Sequence, residues 1–399
     1  MEYNIPNILH KYPPFSGKMG LKNFCIYILS FHVVSLHAQQ TYRARVVDAE
    51  TGEALPYVNI YVAAGRGTMT NAKGDFLIQT EPSERLTFRY VGYEKVQIAA
   101  SELSSVIRMK PYTKELGQVV VEGIPTYFIL RQTIKRLASD YRKHKREKQV
   151  YYFRSRLWNG TGACLMEAFL QAGDAVNGRK ETLLSGIQGI DGNLIPINIT
   201  NIQRHIEIGA RTYRSVFWRN TIKPLDDMSS AGHYYSYEPV IIRGEYGRKI
   251  YCIDCRWKDL PEDKLHGRRY ITGRLYIEDG TYRLLRVEGR VNNAWQWTDF
   301  DRLPSDIHFH ITYDHSRGYT SVAHLAVEGG NERMQYHTIA FAVPEYKDMK
   351  PQQKVGTSNL AMAIRATDCD STLWTEEIVR RTEEEERIFM KGMESVTSP

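Results

Sequence analysis

The chain has 399 residues, enough for two or three domains. Its 42% hydrophobic and 25% charged residues exclude a wholly disordered polymer. The net charge of +7 is spread too thinly over this length to argue for a nucleic-acid partner, and none is expected.

Lys18 and Lys22 precede an apolar run, Phe24 to Leu29. Val33 to Ala38 then leads to Gln39 and Gln40. A positive region, a short apolar region and a small residue predict an export leader over residues 1–38, cleaved after Ala38. A start at Met19 would give it normal length. Cys25 lies inside the apolar run and not at the cleavage point, which argues against a lipid anchor. No later segment offers the ~18 apolar residues of a membrane-spanning helix. The expected location is periplasmic or secreted, with outer-membrane association at most peripheral.

Residues 40–122 read as closely spaced strands and turns. Strands are expected over Tyr42–Val47 and Tyr57–Val62, separated by the turn cluster Asp48 to Gly52. Asn71 to Gly74 forms a second turn, where glycine can take a positive φ. Asp75–Ile78, Leu86–Tyr90, Tyr93–Ile98, Val106–Met109 and Val119–Val121 continue the pattern. Such regular short strands predict a β-sandwich. The 26 tyrosines of the chain suit a strand-rich protein, because the ring packs on a pleated surface while the hydroxyl stays wet.

Thr51-Gly-Glu-Ala-Leu-Pro56, Gly67-Thr-Met-Thr-Asn-Ala-Lys-Gly-Asp-Phe76 and Tyr90-Val-Gly-Tyr93 together resemble the carboxypeptidase regulatory-like domain, a prealbumin-type sandwich. In that likeness Gly52 and Gly74 serve turns, Pro56 starts a strand, and Phe76 and Tyr90 face the core. The resemblance implies a scaffold and no activity. Leu116 to Glu122 is similar to the exit segment that follows this domain in envelope proteins.

Residues 125–148 predict an amphipathic linking helix, with Tyr127, Leu130, Ile134, Leu137 and Tyr141 on one stripe. It ends in the basic run Arg142 to Lys148, read as a solvated helix end favoured by the macrodipole. Residues 149–343 predict an antiparallel β-rich domain, a curved sheet or half-barrel. Its candidate strands include Val150–Leu157, Leu165–Leu170, Lys249–Trp257, Arg274–Ile277, Tyr282–Val291, Asp306–Tyr313, Thr320–Val327 and Gln335–Ala342. The topology of 178–235 does not follow from its pattern. Residues 344–399 are expected to hold a linker and short C-terminal helices, the last opened by a capping box from Thr382 to Glu385. The order helix, Tyr151 to Arg154, Met166 to Phe169 and Gly273 to Ile277 resembles Gram-negative envelope proteins in which the sandwich precedes an uncharacterised β-rich domain.

Few residues suggest chemistry. Cys252 and Cys255 have redox or zinc spacing, but residues three apart on a strand face opposite ways, and no second pair completes a zinc site. A metallocarboxypeptidase reading meets only His144-Lys-Arg-Glu147, inside a run of like charge. There is also no room for the catalytic domain. His308 and His310 share a strand face and could meet His324 or His337 around a metal, although surface histidines are the commoner case. No nucleophile elbow, Walker loop or dinucleotide motif is present. No catalytic residue, cofactor or metal site is therefore assigned.

Alternating aromatics at Tyr235, Tyr237, Trp295 and Trp297 are groove candidates for a lipid or glycan. The alternative is that they pack on their own core. The fold expected is mainly β: sandwich, linking helix, larger antiparallel sheet, short C-terminal helices. The function expected is non-enzymatic, a docking sandwich joined to a β domain that binds an envelope protein or an apolar or glycan ligand. A lipid carrier and a hydrolase with an unrecognised site are the alternatives. The oligomeric state does not follow from the sequence.

Overall fold

Strands dominate the computed structural model, which describes residues 40–62, 67–71, 73–112, 126–144, 147–159, 162–173, 181–191, 235–243, 248–257, 270–292, 306–330, 335–343, 353–355, 363–364 and 381–397. The expected export leader and the segment Leu116 to Glu122 lie outside these residues. The first array contains β1 (Gln40–Asp48), β2 (Asn59–Tyr61), β3 (Gly67–Met69), β4 (Asp75–Thr80), β5 (Arg85–Arg89), β6 (Val96–Ala99) and β7 (Val106–Met109). One sheet runs β4-β1-β7 and the other β3-β2-β5-β6. β1 is antiparallel to β4 and parallel to β7. Val46, Ile60, Phe76, Leu86, Phe88 and Met109, all essentially inaccessible, fill the space between the sheets.

Local chemistry explains the recurring residues of this sandwich. Asn71 Oδ1 accepts the amides of Lys73 and Asp75 at 2.9 and 3.0 Å, closing the turn. Gly74 takes φ +77°, and a Cβ there would lie 2.6 Å from Val46 O, so glycine is required. Thr70 is fully buried. Its Oγ1 donates to Leu55 O and accepts from Val58 N, both at 2.8 Å. That pins the Pro56–Tyr57 segment. Tyr57 is left-handed, with φ 62°, so β2 begins at Asn59 rather than at Tyr57 as the sequence predicts. Positive φ at a tyrosine costs on the order of 1–3 kcal/mol. Its ring is nonetheless buried, and it points away from the sandwich core.

The linking helix is α1 (Thr126–His144), with Ile129, Leu130, Thr133 and Leu137 on its buried stripe. It ends short of 148 because Lys148 already pairs with Gly173 in the next strand.

The second array contains β8 (Lys148–Asn159), β9 (Gly162–Gly173), β10 (Glu181–Asp191), β11 (Tyr235–Arg243), β12 (Lys249–Trp257), β13 (Tyr270–Glu278), β14 (Leu284–Asn292), β15 (Asp306–Asp314), β16 (Ser321–Gly330), β17 (Gln335–Ala342) and β18 (Gln353–Val355), followed by α2 (Glu383–Thr397). Their order is β11-β12-β13-β14-β15-β16-β17-β8-β9-β10-β18, an unclosed antiparallel sheet. β10 lies within the stretch 178–235, whose topology does not follow from its pattern, and β11 begins at its last residue. Alternation gives this sheet two unlike faces. On one, Tyr151, Phe153, Met166, Ile253, Leu275, Phe309 and Leu325 form the main core with α1. The other face carries most of the polar residues.

The capping box expected at α2 forms. Thr382 N donates to Glu385 Oε2 at 2.7 Å and Glu385 N to Thr382 Oγ1 at 3.3 Å. Arg381 Nη2 reaches Glu167 Oε2 at 2.5 Å, and Arg156 Nη1 reaches Glu384 Oε2 at 2.6 Å. These ion pairs hold the helix against the polar face at β8 and β9.

Candidate functional site: a polar cleft beneath the sandwich

Strand register places the polar residues in cross-strand rows. One row runs Asp254, Arg274, Glu288, His310, Ala326, Ile339, Arg154, Glu167 across β12 to β9. The next runs Arg290, His308, Glu328, His337, Arg156. A third contains Tyr276, Arg286, Thr312, His324, Phe341 and Tyr152. Opposite charges therefore sit directly opposite one another, which favours the pairing. Arg274 and Asp254 form a bidentate ion pair, with the second bond at 3.0 Å.

The sandwich rests on this face. Tyr57 and Met69 pack with Tyr152, Phe169, Ala326, Ile339 and Phe341. Val91 and Tyr112 pack against Ile242, Ile250, Cys252 and Tyr276. Arg286 anchors the contact: its Nη1 donates to Val91 O at 2.6 Å, and its guanidinium lies 4.7 Å from the ring centres of both Tyr90 and Tyr276. Gly92, at φ +95°, turns the chain so that Val91 O can be offered. Glu288 completes the group, bonded to Arg286 and accepting from Tyr276 at 3.0 Å. Burial pushes the Glu288 carboxyl up, but Arg286 outweighs it and holds the group well below the usual carboxylate range.

The four histidines singled out in the sequence all lie on this face. His308 is exposed. The other three are covered by the sandwich and are not surface histidines. His324 is fully buried, and its ring centre lies 4.5 Å from that of Tyr57. His310 stacks on Tyr90 at 5.7 Å with the planes 7° apart. His337 Nε2 and the Tyr57 hydroxyl are hydrogen-bonded. Burial lowers the affinity of all three imidazoles for a proton. The same burial holds the Tyr57 phenol well above its ordinary value. No group of three His, Cys, Asp or Glu side chains could hold a metal ion among the described residues.

Between the Pro56–Tyr57 segment and strands β12 to β17 lies a cleft of about 620 Å³. Its lining is mixed, with the charged or polar Arg274, Arg290, His308, Glu288 and Glu328 set beside Tyr57, Phe309 and Val327. The volume falls within the roughly 300–1,000 Å³ of ordinary ligand pockets.

Of the aromatic groove candidates the structure describes Tyr235 and Tyr237, and neither lines this cleft. Tyr235 and Tyr237 open the edge strand β11, opposite Trp257 and Cys255. Trp295 and Trp297 lie outside the described residues. His144 and Glu147 are separately engaged: His144 stacks on Tyr319 at 4.2 Å, and Glu147 lies 3.6 Å from Arg317. Tyr57, Tyr90, Arg286, Glu288 and Glu328 were not predicted as site residues. The readable signal was the charge on alternate positions of otherwise apolar strands, as in Arg286-Val-Glu-Gly-Arg290.

Residues 43–121 match the CarboxypepD_reg-like domain family. Strands β2 to β7 and most of β1 fall within that match. No curated protein matches the chain. Among solved structures, a putative outer membrane lipoprotein-sorting protein domain from Vibrio parahaemolyticus is 12% identical at a TM-score of 0.22, covering 58% of this chain and 98% of its own. A DUF1329 family protein from Desulfovibrio piger is 14% identical at 0.20, covering 54% and 91%. The MucA/MucB complex of Pseudomonas aeruginosa is 10% identical at 0.15, covering 53% and 93%. At those TM-scores the likenesses carry no argument for this chain.

Proposed function

We propose that this is a non-enzymatic protein of the cell envelope, in which the CarboxypepD_reg-like sandwich docks on an open β sheet and the cleft between them binds a polar ligand or a segment of a partner. The observation that carries this reading is the cleft itself. It joins the two units, is large enough for a ligand, and presents opposite charges in fixed rows rather than converging on one reacting point. Paired charges held in register give orientation and specificity to a bound polar group. An export leader over 1–38 fits the same reading, and amino-terminal sequencing of the protein recovered from an envelope fraction tests it.

The binding test uses a library of zwitterionic peptides and one of neutral oligosaccharides, read by thermal shift and calorimetry. Binding by wild type that falls at least tenfold in His308→Ala and Glu328→Gln supports the cleft. Equal affinity in both variants, or no binder in either library, removes it. Lipid co-purifying in native mass spectra would favour instead a carrier groove through Tyr235, Tyr237, Trp295 and Trp297.

A further inference from the structure

Three imidazoles lie at the contact between sandwich and sheet, and His324 among them is poorly served as an acceptor of a further proton. Neither ring nitrogen of His324 meets a hydrogen-bond partner among the described residues, nor does His310 Nε2. His324 faces Tyr57 from the sandwich, Thr312 on β15 and Phe341 on β17. The titratable groups acting on it are His310 and His337, and both oppose its charging. His310 faces Tyr90 from the sandwich, and its Nδ1 lies 3.7 Å from Glu288 Oε2 on β14, a carboxylate that favours its charging but is shared with Arg286, which opposes it. His337 faces Tyr57, Glu328 on β16 and Arg156 on β8. Glu385 of α2 and Glu328 pull its proton on, while Arg156 and Arg154 push it off. Of the three, His324 has no carboxylate acting on it and sits deepest.

We propose that the seat of the sandwich on the large sheet is a proton-operated latch: acidification charges His324 and its neighbours His310 and His337 beneath Tyr57 and Tyr90, lifts the sandwich, and opens the cleft. An imidazolium in a dry contact without a counterion loses its hydration for nothing in return. Lifting the sandwich returns water to His324 and uncovers more of His310 and His337, which already line the cleft. The contact is suited to parting, since outside the Tyr57 and Val91 packing it relies on a few hydrogen bonds and ring contacts.

The direction follows from linkage. Burial depresses the docked affinity of these imidazoles for protons below the ordinary value of 6.5. The undocked form therefore binds more protons as pH falls below that value, and docking is complete above it. The docking constant drops by up to about tenfold per pH unit for each imidazole until the docked form also protonates. The latch requires no particular ligand, so it stands or falls apart from the binding reading.

The test is small-angle scattering of the full chain at pH 7.5 and pH 5.0, with far-UV circular dichroism on the same samples. Wild type is expected to expand reversibly at pH 5.0 with its strand signal unchanged. His324→Phe, which keeps an aromatic ring against Tyr57 but cannot titrate, is expected to expand clearly less than wild type at pH 5.0. Tyr57→Ala provides the open dimensions at pH 7.5. Should His324→Phe not fold, His324→Met serves the same comparison. Identical scattering of wild type at both pH values overturns the proposal. So does expansion accompanied by loss of strand signal, or a non-titrating variant that opens as wild type does.

Discussion

Arg154 Nε donates to Glu167 Oε1 at 2.6 Å where neither side chain meets solvent, Arg154 being 4% and Glu167 1% exposed. The pair is shared: Arg381 also donates to both oxygens of Glu167, and Arg154 Nη1 reaches Glu385 at 3.3 Å. Breaking a buried pair by removing one partner typically costs about 3–5 kcal/mol, because a charge is left uncompensated. Glu167→Ala is expected to lose that much in urea unfolding. A loss of less than ~1 kcal/mol would be that of a solvated surface pair.

The same network sets an acid limit. Burial pushes the Glu167 carboxyl up, but Arg154 and Arg381 more than offset this, so its folded value lies below the ordinary 4.5. Its contribution is present above the ordinary value and is lost as pH falls through the depressed one. Wild type should therefore show a steep loss of stability below pH 4.5, and Glu167→Gln a shallower one. Parallel acid limbs in the two proteins would contradict the assignment.

Gly289 lies where β13 and β14 approach under a ring. A Cβ there would press on Thr272 O and lie 2.8 Å from Gly273 Cα and 2.9 Å from Phe309 Cζ. Two of these atoms are backbone and cannot swing away. Gly289→Ala should cost about 1–3 kcal/mol through overpacking, read as a lowered denaturation midpoint. Gly280→Ala meets nothing within 4 Å but sits at φ +71°, so its smaller loss would report backbone strain alone.

The C-terminal helix offers two separable substitutions. Thr382→Ala removes a cap and should cost about 1 kcal/mol, with faster amide exchange confined to the first turn of α2. Glu385→Gln keeps an acceptor for Thr382 N but withdraws the charge facing Arg154. Its penalty should exceed that of Thr382→Ala. The reverse order would mean that capping, not charge, holds the helix.

Cys252 is buried, and burial pushes its thiol up to about 11. Cys164 is likewise a buried thiol. A thiolate is the reactive form, so both should escape iodoacetamide at pH 8 in the folded protein and react only in denaturant. Peptide mass mapping reads the two sites separately, and rapid native labelling of Cys252 would show that its face of β12 is open.

Much of the architecture was legible because strand-forming residues cluster in the chain. Lys249–Trp257 and Gln335–Ala342, only partly alternating but rich in Tyr, Ile and Phe or Trp, form strands with those bounds. The sandwich was legible through residues whose roles are local: Asn71 closes a turn, Gly74 admits a close approach, and Thr70 staples a neighbouring segment. The cleft was not legible. Its floor depends on register, which sets His308 opposite Glu328 and Glu328 opposite His337, and register is a product of pairing between distant segments. Its roof depends on Tyr57, whose left-handed backbone aims the ring at the sheet instead of into the sandwich. Nothing in the local pattern distinguishes that tyrosine from its strand neighbours.

β8 does not lie at an edge. It sits between β17 and β9, and the amide of Val343 closes on Val150 O at 2.9 Å. Gln149 and Val343, bonded across this seam, are 194 residues apart in the chain. The sheet is thus two zigzags zipped along a single line, β8 to β10 on one side and β11 to β17 on the other. The earlier zigzag can form as soon as it is synthesised, but its flank stays bare until β17 exists. Such distant closures are slow, and a waiting strand flank invites pairing with a second chain. During folding, the vulnerable place in this protein is the middle of its finished sheet.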